Sequence, residues 1–291
     1  MEGRTLRPLG IGEIVDTSIN LCYRNFATFA KIAAVVAIPM GVIIFLLDQV
    51  AFAEPGGSAD GVAYIGEYTQ RVDFDTFAAI TIAEGIVSLF AFLLVTGASF
   101  RAVSDLYADK QASSSDSLRV AGSRMHSMLW ISSLFILGVV AASFAFLVPG
   151  IWLLVAWSLA IPALFAEGLV GTKALGRSFD LVRDNWWRTA GAFLVGLVFI
   201  VLLQFLLGRI ASGLTGLTED SKQLSLLISD TAQVLALIVT GPLQAVITAV
   251  IYFDLRVRKE SLDVEGLTRQ PDPAGSTPDP PPPPPSTPSG W

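Results

Sequence analysis

Six apolar stretches constrain this chain more than any other feature: residues 29–47, 76–103, 128–148, 151–166, 189–207 and 231–253. At 1.5 Å per residue, about 20 such residues cross a hydrocarbon core of roughly 30 Å. In lipid the backbone must satisfy its own hydrogen bonds, and a helix does so within one segment. The composition agrees: 53% of the residues are hydrophobic and 15% charged, whereas a soluble domain carries about 25% charged residues. The expected fold is therefore all-α, a polytopic membrane domain over residues 1–260 with six transmembrane helices in three hairpins.

Punctuation within the stretches sets further expectations. Pro39, Pro162 and the Gly241-Pro242 pair fall inside three of them and predict kinks. Only Pro149 and Gly150 separate the third stretch from the fourth, which predicts a tight helical hairpin turning there. The last apolar region, Leu224 to Phe253, is too long for one untilted crossing and predicts a short surface segment before a kinked span. Between Asp48 and Asp75 the chain is rich in glycine and acids, with Arg71 its one base, and reads as a loop.

Each hairpin is introduced by an amphipathic segment. In IPALFAEGLVGTKALGRSFDLVRDNWWR, Leu175, Phe179, Val182 and Trp186 recur at helical steps, with Lys173, Arg177, Asp180, Arg183 and Arg188 largely opposite. A helix with one apolar and one cationic face lies in the membrane interface. Setting SINLCYRNFATFA (18–30) against SFDLVRDNWWRTA (178–190) pairs Ser18 with Ser178, Leu21 with Leu181, Asn25 with Asn185 and Ala30 with Ala190. This is the mark of a repeated unit. SLRVAGSRMHSMLW is a weaker third copy, with Leu118, Ala121, Met125 and Met128 as its apolar face.

Orientation follows from the bases. All but three of the 19 Lys and Arg residues lie in the N-terminal segment, the second-to-third connection, the fourth-to-fifth connection and the C-terminal segment; the exceptions are Arg71, Arg209 and Lys222. Both termini are thereby expected in the cytoplasm of a cell whose plasma membrane the chain crosses. Arg24, Arg124, Lys173, Arg177, Arg183, Arg188, Arg256, Arg258 and Lys259 form an expected belt of contacts to anionic lipid headgroups, worth about 1 kcal/mol per base near the surface. Bases tied to span ends give no support for nucleic-acid binding.

An ionisable group within a span is costly unless paired, neutral or facing water. Glu84 and Asp230 are two such groups, both about 9–12 Å in from the outer surface. With Arg209 and Gln204 they make a candidate outward-facing polar pocket for a cationic or zwitterionic headgroup or for protons. The alternative reading is that the two acids cap helices at the interface while Arg209 snorkels to water.

Other chemistry is sparse. With a single cysteine, Cys22, no intrachain disulfide or cysteine-rich metal cluster is possible, and no metal or cofactor is expected. The single histidine, His126, lacks a spaced nucleophile or carboxylate and reads as an interfacial anchor. Glu167 is expected to pair with the basic helix that follows it. The N-terminal residues carry no signal-peptide core. From Ser261 onward the chain holds ten prolines, including Pro280–Pro285, so residues 261–291 read as a disordered tail of polyproline II character, either simply solvated or docking a cytoplasmic proline-reading module.

RPLGIGEIVDTSINLCYRNF, PGIWLLVAWSLAIPALFAEG, ALGRSFDLVRDNWWRTAG and YFDLRVRKESLD together resemble the glycerophosphoryl diester phosphodiesterase membrane domain family, over about residues 6–265. The resemblance implies a polytopic membrane domain that in some members precedes the enzyme. The phosphodiesterase uses a His-Arg-Gly start and further metal ligands; here His126 is followed by Ser127, and no catalytic residue carries over. The expected function is a non-enzymatic membrane scaffold or accessory protein organising lipid or a partner complex. The alternative is a transporter or lipid-handling permease built on the outer pocket.

Overall fold

The computed structural model describes residues 9–51, 61–65, 68–72, 74–216 and 221–260. Ten α-helices follow one another among them: α1 (Ile11–Arg24), α2 (Phe26–Ala51), α3 (Phe74–Tyr107), α4 (Ser114–Ser123), α5 (Met125–Ala145), α6 (Leu147–Trp157), α7 (Ala160–Glu167), α8 (Thr172–Val182), α9 (Trp186–Thr215) and α10 (Lys222–Glu260). Six helical segments are long and apolar enough to cross a membrane: Phe26–Val50, Phe74–Tyr107, Met125–Phe144, Leu147–Glu167, Thr172–Thr215 and Gln223–Lys259. This is the architecture of a multi-pass membrane protein. The C-terminal proline-rich stretch, residues 261–291, lies outside the described residues.

The repeat has a structural counterpart that pairwise residue matching only partly revealed. Ser18, Ser117 and Ser178 are each wholly buried on an amphipathic helix, α1, α4 and α8 respectively. Seven residues after each serine the helix breaks, at Asn25 (φ −115°, ψ 24°), Arg124 (φ −101°, ψ 5°) and Asn185 (φ −126°, ψ 27°). All three lie near the bridge region, where a single residue turns the chain without ending helical hydrogen bonding for long. Each amphipathic helix thus joins its long helix through one residue or one turn of 3₁₀ helix. In α8 the buried face consists of Ala174, Leu175, Ser178, Leu181 and Val182. The sequence expectation placed Phe179 and Trp186 on that face instead; the burial of Ser178 shifts the stripe by a fraction of a turn.

Four long helices form a bundle. α10 packs against α2, α3 and α9, and α2 packs against α3. Close approach is set by glycines: a Cβ on Gly41 of α2 would lie 2.3 Å from Val234 of α10, and one on Gly196 of α9 would lie 3.1 Å from Ile247. Small residues at such crossings let helices approach where no water-driven term favours association. α10 runs unbroken from Lys222 to Glu260 with Pro242 inside it, and α2 runs through Pro39. The expected surface segment before the last span is therefore absent: residues 222–230 form the first turns of α10 itself.

The remaining pair differs from expectation at its turn. α5 ends at Ala145, Phe146 is the single extended residue, and Pro149-Gly150 fall inside the first turn of α6, where proline is tolerated because an early helical N–H has no partner anyway. A Cβ on Gly150 would lie 2.0 Å from Ser143 Oγ, so glycine lets the two arms close. The second arm breaks at Ser158-Leu159, just ahead of Pro162. Ser178 of α8 closes that gap: its hydroxyl donates to the Ala156 carbonyl (2.8 Å) and accepts from the Leu159 N–H (2.9 Å). Gly168 and Gly171, at φ +70° and +58°, turn the chain from α7 into α8.

The connection between α2 and α3 is also corrected. Instead of a plain loop it holds an antiparallel pair, β1 (Gly61–Ile65) with β2 (Tyr68–Val72), in register Gly61 to Val72 and Ile65 to Tyr68. Val-Ala-Tyr-Ile and Tyr-Thr-Gln-Arg-Val carry the β-branched and aromatic residues that favour strands, and a two-residue Gly-Glu spacer separates them in sequence.

Candidate functional site

Asp48 sits in the last turn of α2, Glu84 in the third turn of α3 and Asp230 in the third turn of α10. Because α2 and α3 run antiparallel and α10 packs against both, the three carboxylates converge at the end of the bundle away from the basic belt. Asp48 lies within hydrogen-bonding reach of both Glu84 and Asp230. Two ionised carboxylates have no proton to share, so those contacts become hydrogen bonds only when the cluster carries one. Glu84 Oε1 and both Asp230 oxygens are buried without a donor, and Asp230 is only 4% exposed.

Sequence reasoning paired Glu84 with Asp230 but missed Asp48, which it placed at the start of a loop. The usable signal was the strong helical run through Phe45-Leu46-Leu47, which continues past Asp48 to Ala51. Arg209 and Gln204, the other expected pocket members, are exposed residues of α9. Gln204 Nε2 donates to Thr240 Oγ1 at 3.4 Å, and among the described residues Arg209 makes no ion pair with the carboxylates. The cluster is therefore acidic throughout. Among the described residues, no set of His, Cys, Asp and Glu is placed to hold a metal ion.

At the opposite end, bases and acids interlock. The Asp254 carboxylate, 1% exposed, accepts from Arg188 Nη2 (3.1 Å), from Arg258 Nε (3.0 Å) and from the Leu9 N–H (2.7 Å). Arg188 and Arg258 also donate to the Leu9 carbonyl. Glu167 accepts from Arg177 Nε (2.8 Å) and from the Tyr252 hydroxyl (2.6 Å), with Arg256 at 3.9 Å. Lys259 bridges to Asp184 at 2.7 Å and to the Asp180 carbonyl, and Arg124 Nη1 donates to the Leu164 carbonyl at 2.6 Å. Of the bases expected to meet lipid, these six are held by partners within the protein. Arg24, Lys173 and Arg183 remain exposed.

His126 is exposed, and Cys22 is partly buried on α1. Burial pushes the Cys22 thiol up to about 12. At pH 8 only about one thiol in 10⁴ would then be thiolate, against roughly a quarter for an ordinary cysteine. Alkylation of Cys22 by a maleimide in the folded protein is expected to run more than about a hundredfold slower than in the unfolded chain; comparable rates would place the thiol in water.

Neither a family model nor a curated protein nor a solved structure matches the chain.

Proposed function

We propose that this chain is a non-enzymatic permease of the plasma membrane, with both termini cytoplasmic, that handles protons at its outer end. One observation carries the reading: Asp48 stands between Glu84 and Asp230, and the buried oxygens around it lack donors. Leaving buried polar groups unpaired costs about 1–3 kcal/mol each, and more for charged ones. A proton supplies the missing donor, and Asp48 on α2, within reach of Glu84 on α3 and Asp230 on α10, can pass it from one neighbour to the other. A solute bearing an ammonium group would compete for the same carboxylates, which is the chemistry of a proton-exchanged carrier. The orientation rests on the basic belt, since Lys and Arg flank spans on the cytoplasmic side.

Infrared spectroscopy of the purified protein provides the test. At pH 7 the wild type should display a carbonyl stretch of a protonated carboxyl group that weakens in Asp48→Asn, Glu84→Gln and Asp230→Asn. Proteoliposomes made with Glu84→Gln/Asp230→Asn should lose proton movement driven by small amines added outside. An unchanged carboxyl band in all three variants would remove the basis for the proposal.

A second reading has its own support. The exposed Arg24, Lys173 and Arg183, and Trp187 at 84% exposure, supply cationic and aromatic side chains suited to anionic headgroups. A scaffold or accessory protein that organises lipid, or that holds a proline-reading partner on residues 261–291, would use those side chains. The resemblance to the membrane domain of the phosphodiesterase family is compatible with either role.

A further inference from the structure

The α5–α6–α7 hairpin is long and apolar enough to cross a membrane, yet its contacts run across the bundle end rather than along the bundle. Its base is fixed at the basic end: Glu167 meets Tyr252 and Arg256 of α10, and Phe165 packs on Phe100, which in turn packs on Tyr252. Fifteen residues back along the same arm, Trp152 accepts from Trp186 Nε1 (3.1 Å) through its carbonyl and stacks edge-on with Phe179. Trp186 opens α9 two residues before Arg188, whose partner on α10 is Asp254. Both points on the arm therefore lie level with the same two turns of α10. An arm parallel to α10 would carry Trp152 about 22 Å further, to the level of Thr240.

Residues nearer the turn stay at that level too. Val148 and Ile151 line a groove of about 780 Å³ with Arg183 and Arg188. Along its length the hairpin is held chiefly by α8, itself an amphipathic helix, with Ser178 stapling the break between α6 and α7.

We propose that this hairpin does not cross the bilayer. It lies in the leaflet at the basic end with its turn among acyl chains, and the protein crosses four times, through α2, α3, α9 and α10. The turn has the chemistry for lipid rather than water. Phe144, Phe146, Leu147 and Val148 are 89%, 76%, 70% and 76% exposed, and no charged residue occurs from Leu129 to Ala166. By contrast, the α2–α3 and α9–α10 connections carry Asp60, Glu67 and Asp73, and Glu219 and Asp220. Two of the turn's backbone positions need no outside partner: the Phe146 N–H donates to the Ala142 carbonyl at 3.1 Å, and Pro149 removes one donor that a helix start leaves unpaired. The four-crossing arrangement keeps every base of the belt on one side, so it satisfies the charge rule as well as six crossings would.

Cysteines placed at Phe146 or Val148 in a Cys22→Ala background test this, with Ser58→Cys and Ser113→Cys marking the two sides. In sealed vesicles of either orientation, an impermeant maleimide on the side that labels Ser58→Cys should leave both turn positions unlabelled. Nitroxides attached at the same positions in detergent and then reconstituted should collide more with oxygen than with a water-soluble nickel complex. Labelling of the turn from the side of Ser58→Cys, which a crossing hairpin requires, would overturn the proposal. Phe146→Lys gives an independent reading: stability indistinguishable from wild type would mean that the turn lies in water and would equally overturn it, while a marked loss supports burial in lipid.

Discussion

Replacing Asp254 with alanine should cost about 3–5 kcal/mol, a large part of the stability of an ordinary domain. The 1% exposed carboxylate balances Arg188 and Arg258 and anchors the Leu9 N–H. Without it, two guanidinium groups face each other beside the Leu9 carbonyl with no counter-charge. The first consequence should be release of α1, because Leu9 leads into it and both arginines hold that residue. Asp254→Asn keeps an acceptor oxygen and should lose less. Thermal unfolding in detergent, with limited proteolysis near residue 10, reads both effects. A change below about 0.5 kcal/mol would place this carboxylate with ordinary surface residues.

Gly150→Val should be comparably damaging. The new Cβ would fall 2.0 Å from Ser143 Oγ and 3.0 Å from Ser143 Cα. The first clash is with a side chain, but the second is with backbone and cannot be relieved by a rotamer change. Overpacking of this kind costs about 1–3 kcal/mol in a well-packed core, and more where backbone must move. The arms of α5 and α6 should splay near their turn. Ser143→Gly should recover part of the loss, giving a measurable coupling between the two positions. If Gly150→Val were no less stable than wild type, the close approach of the two arms would be wrong.

The apolar stretches located the long helices because hydrophobic length is a property of composition and tolerates errors of several residues at each end. The stopping points were harder to read. Asp48 was assigned to a loop because its charge interrupts the apolar run, although helix α2 carries it one turn further to meet Glu84 and Asp230. Gly241-Pro242 was expected to kink the last span, and α10 carries the pair as part of one continuous helix, its residues there buried between neighbouring helices. Proline's lost hydrogen bond is tolerated where packing on adjacent helices compensates. Arg209 and Gln204 were grouped with the acids by depth alone. Depth gives the level of a residue and not its direction around the helix: Arg209 is exposed, and Gln204 reaches Thr240 of α10 instead of the acids.

The belt of bases illustrates a different limit. Counting Lys and Arg gives their side of the membrane, but not whether each charge is already answered within the protein. Arg177, Arg188 and Arg258 are answered by Glu167 and Asp254. Glu167 was expected to pair with the basic helix after it and holds Arg177, ten positions on, whereas Arg188 and Asp254 lie 66 positions apart on different helices and left no local signal. The repeat came through more faithfully, because the buried serine and the break seven residues later are both local.

The two ends of the molecule are unequal in girth. With four crossings, the acidic end of the bundle consists of α2, α3, α9 and α10, whereas the basic end adds α1, α4, α8 and the α5–α7 hairpin. A body of that outline is a wedge, and it takes more area from one monolayer than from the other. Such a shape favours bilayers bent so that the crowded monolayer is the outer surface of the curve. Membrane curvature would then govern where the protein gathers, independently of any solute it handles.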